Sequence, residues 1–412
     1  MTTTLHSTPT TTSTRHGLGF WLVAAAFLIG MAYSTLPTPL YPLYAERDGF
    51  STFVVTIVFS VYAVGVVISL ILVGHISDWV GRKRIIIPAL ALEAASAVIF
   101  LLWPDLPGLI AARFISGLGI GMLTATATAH LHELHSRHRP HATDSARSEV
   151  VSIAANIGGL GLGPLIAGFL AQYVTGPLVV PYLVFLVLLI ASIVAVALAP
   201  ETVDVQPSRP SYRPQLPGGA RAGGGFWQAA VAALAAFSVF GVFTSVTPEF
   251  LAEALHEPSR LIAGAVTFVV FAAAALAQTA TQRMAPPVRL RLGALAEILG
   301  FGFLVAGTVS ASLVLFLVGG AVAGAGAGFL FKGAVGTILA TTSADRRGAA
   351  LAGLFLVAYL GLIVPVVGLG LAVTVLPSTT AMIGLSAILV IVLAGLGLST
   401  VLGAGRSGTV RG

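Results

Sequence analysis

Cysteine is absent from the 412 residues, and Asp, Glu, Lys and Arg together make up only 9% of them. Without cysteine there are no disulfides and no thiolate metal sites, and the redox compartment cannot be read. The shortage of charge decides more. Ordinary soluble domains carry about 25% charged residues, so this chain cannot coat a water-facing surface of its size. Long polar stretches are missing too: the longest, Thr202 to Gly225, is too short for a soluble domain. No glycine-rich phosphate loop occurs, which argues against direct energisation by ATP. No ordered set of acid, base and metal-ligating residues marks an enzyme or calls for a cofactor.

What fills the chain is apolar. Hydrophobic residues make up 57% of it, and the mean hydropathy is +0.98. The apolar runs last about 20 residues or more, the length that carries a helix across roughly 30 Å of hydrocarbon. They predict an all-α membrane protein with twelve spans, at 18–40, 52–74, 85–103, 107–129, 149–173, 178–199, 226–251, 260–282, 292–310, 313–340, 349–374 and 380–402. Residues 1–17 form a Thr/Ser-rich tail, and the apolar run after it is too long for a cleaved signal. Orientation follows from the 21 Lys and Arg residues. Seventeen of them, including Arg82, Lys83, Arg84, Arg137, Arg147, Arg221, Arg346 and Arg347, fall on one side; Arg47 and Arg260 fall on the other, and Arg113 and Lys332 lie within spans. The positive-inside rule therefore places both termini in the cytoplasm of a cell whose inner membrane the chain spans. It also assigns the net charge of +6 to topology rather than to nucleic acid. Trp21, Trp103 and Trp227 fall at span ends, where interfacial aromatics sit.

The Pro-, Gly- and Arg-rich stretch 202–225 divides the chain into two groups of six spans, 18–201 and 226–402, followed by a short tail, 403–412. The groups resemble each other. Gly30, Ser34, Pro37 and Leu40 reappear in the same spacing as Gly241, Ser245, Pro248 and Leu251. Gly117, Gly119 and Gly121 in span 4 are echoed by Gly324, Gly326 and Gly328 in span 10, and Pro164 by Pro365. A parallel repeat of six spans is the sign of two pseudo-symmetric bundles around a midplane site.

Between spans 2 and 3 runs Gly74-His75-Ile76-Ser77-Asp78-Trp79-Val80-Gly81-Arg82-Lys83-Arg84. This resembles the signature loop of the major facilitator superfamily, with Trp79 where the family usually has Arg or Lys. The resemblance covers nearly the whole chain and implies the major facilitator fold, twelve transmembrane helices in two pseudo-symmetric six-helix bundles. It also implies that Asp78 meets the start of span 11, near Arg347 to Ala349, and holds the cytoplasmic side in one state. Gly74 and Gly81 suit close helix approach and a tight turn, and a carboxylate can accept from a helix N-terminus. A basic turn obeying the positive-inside rule is the plainer reading of Arg82 and Lys83. The corresponding stretch after span 8, Gln278 to Val288, has lost the pattern.

Two further strings carry the resemblance. Arg113-Phe-Ile-Ser-Gly117-Leu-Gly119 is similar to the arginine–glycine motif of proton-coupled members. Arg113 lies roughly 9 Å into its span at 1.5 Å per residue. A guanidinium there is costly unless paired or hydrated, with snorkelling to the interface as the plainer alternative. In span 5, Gly159-Leu-Gly161-Leu-Gly163-Pro164-Leu-Ile-Ala167-Gly168 is similar to the antiporter motif of drug–proton exchangers, with Ala167 replacing a closing glycine. Such a string also serves as a generic tight helix contact. Pro200-Glu201-Thr202, closing span 6, looks like the family as well.

Three more ionisable residues lie within spans: Glu93 near the midplane, Glu297 nearer its interface, and Lys332. In the implied fold spans 1, 4, 7 and 10 line the cavity, which favours Arg113 and Lys332 as cavity groups. Glu93 and Glu297 stand open between proton coupling and a structural partnership. His130, His132, His135, His138 and His141 fall between spans 4 and 5 and read as a solvated loop rather than a metal site. Together these features predict a monomeric secondary active transporter that works by alternating access and exports a small organic compound in exchange for protons. Uptake of a small anionic solute by proton symport is the alternative, and a transporter-fold sensor is the alternative of another class.

Overall fold

The computed structural model describes residues 10–73, 76–139, 146–203, 224–343 and 346–408, with the backbone alone at 10–14, 78, 224 and 400–408. Most of the 202–225 stretch, the outer parts of both tails, Gly74, His141 and the Asp78 side chain lie outside that description. Among the described residues the secondary structure is helical, with no strand. In hydrocarbon every backbone N–H and C=O must find a partner within its own segment, and a helix satisfies that demand.

Among the described residues twelve helices are long and apolar enough to cross a membrane: span 1, Arg15–Asp48; span 2, Thr52–Val73; span 3, Lys83–Leu102; span 4, Leu106–His138; span 5, Ala146–Tyr173; span 6, Val180–Leu198; span 7, Gly225–Ser245; span 8, Arg260–Ala280; span 9, Pro286–Val309; span 10, Leu313–Thr341; span 11, Arg347–Ala372; span 12, Ser378–Ser399. Large hydrophobic side chains such as Leu198, Leu276, Val375 and Ile391 stay exposed on the outside. Water would not tolerate a surface of that kind, and lipid does.

The repeated prolines act alike. The first helical segment ends at Thr35, and Pro37, which has no N–H to donate, leads into the 3₁₀ turn Thr38–Leu40 and the helix Tyr41–Asp48. Span 7 ends at Ser245, and Pro248 sits in the first turn of the short helix Thr247–Ala254.

Several span boundaries differ from the sequence expectation: span 1 runs to Asp48 rather than 40, span 7 stops at Ser245 rather than 251, and two further shifts move candidate site residues. Span 4 continues to His138, so His130, His132, His135 and His138 stand on a helix and not in a loop. Ala127, Leu131 and Leu134 prolong its buried stripe at helical spacing, and a helix propagates while that stripe has something to bury against. Span 9 begins at Pro286, a residue suited to a first helical turn, rather than at 292. That shift carries Glu297 away from the interface, about 16 Å along the helix from its start.

Helix neighbours repeat between the halves. Spans 1–4, 1–5, 1–6, 2–4, 3–4 and 3–6 meet in the first half, and 7–10, 7–11, 7–12, 8–10, 9–10 and 9–12 in the second. The halves join through two equivalent pairs, span 2 with 11 and span 5 with 8.

Candidate functional site

Between the halves lies a cavity of about 860 Å³, walled by both. At one end it stops on Thr38, Tyr41, Arg113 and Thr244, all buried. At the other it reaches Thr128, His132, Glu149 and Leu339, which are exposed and lie toward the ends of their helices on the side of the chain termini. The molecule is therefore open on the termini side and closed on the opposite side.

Small residues make the closure. Along span 5, a Cβ on Gly163 would lie 1.9 Å from Ala32 O of span 1, and one on Gly168 would lie 2.4 Å from Arg260 O of span 8. A Cβ on Gly264 of span 8 would lie 2.2 Å from Pro164 O. Gly159 abuts span 1 and Ala167 is fully buried, so the antiporter-like string faces its own half on one flank and the other half on the second. Hydrogen bonds lace the same side. Thr38 Oγ1 donates to Thr244 O at 2.9 Å, Arg260 N donates to Gln172 Oε1 at 3.1 Å, and the Thr52 hydroxyl donates to Glu249. Burial pushes the Glu249 carboxyl above the ordinary glutamate value against the opposing Thr52 hydrogen bond, and neighbouring Glu253 adds to the rise.

Arg113 sits at the closed end. It is 2% exposed, and among the described residues its one hydrogen bond runs from Nη1 to Ser34 O at 2.6 Å. Its Nε has no partner. The guanidinium carbon lies 4.3 Å from the Tyr62 ring centroid and 5.8 Å from that of Phe59, a cation–π arrangement that is worth about 2 kcal/mol when desolvated. Phe237, Phe240, Phe271, Phe331, Phe355 and Tyr359 supply the facing aromatic wall.

Lys332 also lines the cavity, as the sequence suggests. Its Nζ donates at 2.7 Å to Glu149 Oε1 of span 5 and at 2.7 Å to Gln278 O of span 8, so the ion pair bridges the halves. Glu149 escapes sequence reasoning because it stands in a polar helix start. Asn156 escapes it too: it faces the cavity from the π-helical turn Ala154–Gly158, a widened turn of the kind found at functional sites. Arg289 lines the cavity as well, with Nε donating to Thr281 O and Nη2 to Gln282 O at 2.9 and 2.8 Å.

Glu93 and Glu297 are fully buried and stand outside the cavity wall. Glu93 Oε2 accepts from Ser116 Oγ at 2.9 Å, while its Oε1 has no partner among the described residues. Neither oxygen of Glu297 has one among these residues. Arg113 and Glu93 are not in salt-bridge contact; Ser116, one turn along from Arg113, holds the carboxylate instead.

The signature loop is tied into its own half. Gly81 adopts φ +114, a conformation that L side chains rarely reach. Arg82 N and Lys83 N each donate to Glu201 at 3.0 Å, so that carboxylate caps the N-terminus of span 3. Burial alone would raise the Glu201 carboxyl, but the N–H groups of Thr202, Lys83, Arg82 and Val203 outweigh it and hold the group below the ordinary value. Arg82 Nη2 pairs with Glu133 Oε1 at 2.7 Å, and Lys83 Nζ donates to Ala197 O and Ala199 O at 2.6 and 2.7 Å. Glu201 falls in the Pro200-Glu201-Thr202 string that looks like the family, whereas nothing in the sequence ranks Glu133 above any other acid near a span end.

The profile of the Major Facilitator Superfamily matches residues 22–307. An arabinose–proton symporter from Bacillus subtilis is 32% identical over 123 residues, 29% of this chain and 26% of the relative. The chloramphenicol resistance protein CraA from Acinetobacter baumannii is 27% identical over 106 residues, 25% of this chain and 24% of the relative. The matched segments thus span about a quarter of these relatives. Among solved structures, the nucleoside transporter NupG superposes with a TM-score of 0.70 at 14% identity, covering 93% of this chain and 99% of its own. The human organic anion transporter MFSD10 superposes at 0.65 with 15% identity, covering 92% and 99%.

Proposed function

The chain belongs to the Major Facilitator Superfamily and is a transporter rather than an enzyme, and from that premise we propose that it exports a small amphipathic organic compound in exchange for protons. The observation that carries this reading is the cavity between the halves, open on the termini side, closed on the other, and walled by aromatic residues. Alternating access then requires that the seams of spans 5 with 8 and 2 with 11 part while the termini side closes. We place that termini side in the cytoplasm of the inner membrane, on the strength of the Lys and Arg asymmetry. The units 18–201 and 226–402 are the bodies that rock, within a monomer. Arg113 and Lys332 serve the solute, and Glu93, held by Ser116 beside Arg113, serves the proton.

Energetics allow it. One charge crossing 100 mV supplies about 2.3 kcal/mol, enough for roughly fiftyfold extrusion. Export rests on the antiporter-like string of span 5 and on the apolar cavity; the matched relatives include both a resistance protein and a symporter. Uptake by symport is the second reading, favoured by the cavity cations if the solute is an anion.

The test is flux in proteoliposomes with an imposed pH difference, across a panel of organic acids, bases and neutral compounds. Solute movement opposite to the proton gradient, collapsed by a protonophore, is the expected result. Movement along with the protons would replace export by symport, and absence of any gradient-driven flux would remove the transport mechanism.

A further inference from the structure

The solute-facing cation at the closed end has no anion to serve. Arg113 is 2% exposed, uses one of its five N–H donors on Ser34 O, and keeps Nε without a partner. It forms no ion pair among the described residues, since Glu93 is engaged by Ser116 behind it and stands outside the cavity wall. Tyr62 stacks over the guanidinium, which fixes its plane and leaves its edge as the polar feature at the blind end.

The rest of the wall repeats the sign. Arg289 and Lys332 line the cavity, and Glu149, the one carboxylate among the lining residues, is spent on Lys332. Three cations against one paired carboxylate give an electropositive chamber with a buried end. Such a chamber concentrates anions and repels cations, and charge-assisted bonds inside it are strong. Phe59 and Tyr62 lie against the guanidinium, and Phe237 and Phe240 line the same cavity from the other half.

We propose that the transported compound is an aromatic organic acid whose ionised group takes the free edge of Arg113 while its ring lies among these aromatics. The proposal rests on the transport reading above and narrows its substrate class. A lipophilic cation, the other common kind of amphipathic solute, finds no free carboxylate in this wall.

Full-length protein in nanodiscs is titrated with 2-naphthoate, with the neutral isostere 2-naphthamide and with the cation 2-naphthylmethylammonium. The wild type should bind 2-naphthoate about tenfold or more tighter than either relative, as expected when one partner of a buried charge pair is removed. Arg113→Gln should lose that preference while its affinity for the amide stays. Because the three ligands differ only in their head group, the wild-type comparison stands even if the variant does not fold. Equal or tighter binding of the cation, binding of none of the three, or an unchanged preference in a folded Arg113→Gln would overturn the proposal. Selective naphthoate binding without gradient-driven flux would instead sink the transport reading and leave the anion site standing.

Discussion

Glu93 and Glu297 place the same side chain in two different surroundings. Each fits against a glycine notch in the neighbouring helix: a Cβ on Gly119 would lie 2.6 Å from Glu93 Oε1, and one on Gly326 would lie 2.6 Å from Glu297 Cγ. The halves then diverge. Counting back from Gly119 gives Ser116 and Arg113; counting back equally from Gly326 gives Ala323 and Gly320, which offer no polar group. The second-half carboxyl keeps its position in the repeat without its partners. Removing an unpartnered buried polar group relieves a cost of about 1–3 kcal/mol. Glu297→Met is therefore expected to raise the melting temperature of the purified protein and to leave transport intact; lost transport would make Glu297 a coupling residue. Glu93→Gln should abolish proton-driven flux while solute exchange persists, and unchanged driven flux would clear Glu93 of the proton role. Arg113, Glu93, Glu297 and Lys332 are legible in the sequence because a charge inside an apolar run has no cheap explanation. Glu149, Asn156 and the aromatic wall are not. A glutamate at a polar helix start looks solvated, a π turn leaves no mark in composition, and phenylalanine in a span reads equally as lipid-facing.

At the scale of the helix, twelve spans and the repeat could be read from hydropathy and from glycine and proline spacing, since membrane length and close helix approach leave strong signals. What could not be read is which flank of span 5 meets which neighbour. Its small residues alternate between span 1 and span 8 on a single helix, and sequence gives the stripe without the partner. The contact on span 8 is where the closed side must part. Gly264→Val should force that seam, because the added Cβ would otherwise lie 2.2 Å from Pro164 O. The expected outcome is slower turnover and a population shifted open on the side away from the termini. Thr244→Cys, buried at that end in the closed form, reports it. In the Gly264→Val background the thiol should react with an impermeant reagent from that side, and in the parent it should stay protected. Gly384→Val, where an added Cβ meets nothing within 4 Å, serves as the control and should leave labelling unchanged. Protection of the thiol in both backgrounds would mean that this seam is not what parts.

For the whole molecule the open question is which way the open mouth faces, and charge answers it more directly than shape does. The halves repeat each other in helix order and contacts and run parallel, so both point the same way, and shape alone does not say which side is the cytoplasm. The asymmetry lies in the loops and helix ends, where seventeen of the 21 Lys and Arg residues fall on the termini side and two on the opposite side. Moving that many cations across an energised membrane during insertion is strongly disfavoured. The mouth of the cavity, and with it the Lys332–Glu149 pair, should therefore open to the cytoplasm. Since the chain has no cysteine, single thiols report the answer without background. Ser136, exposed near the end of span 4, and Ser310, exposed at the end of span 9, lie on opposite sides. Ser310→Cys should be labelled by an impermeant maleimide in intact cells, and Ser136→Cys only after permeabilisation. The reverse pattern would turn the cavity toward the outside. The anion would then have to be carried inward against an inside-negative potential, which coupling to protons would have to drive, and export would give way to proton symport on the same set of residues.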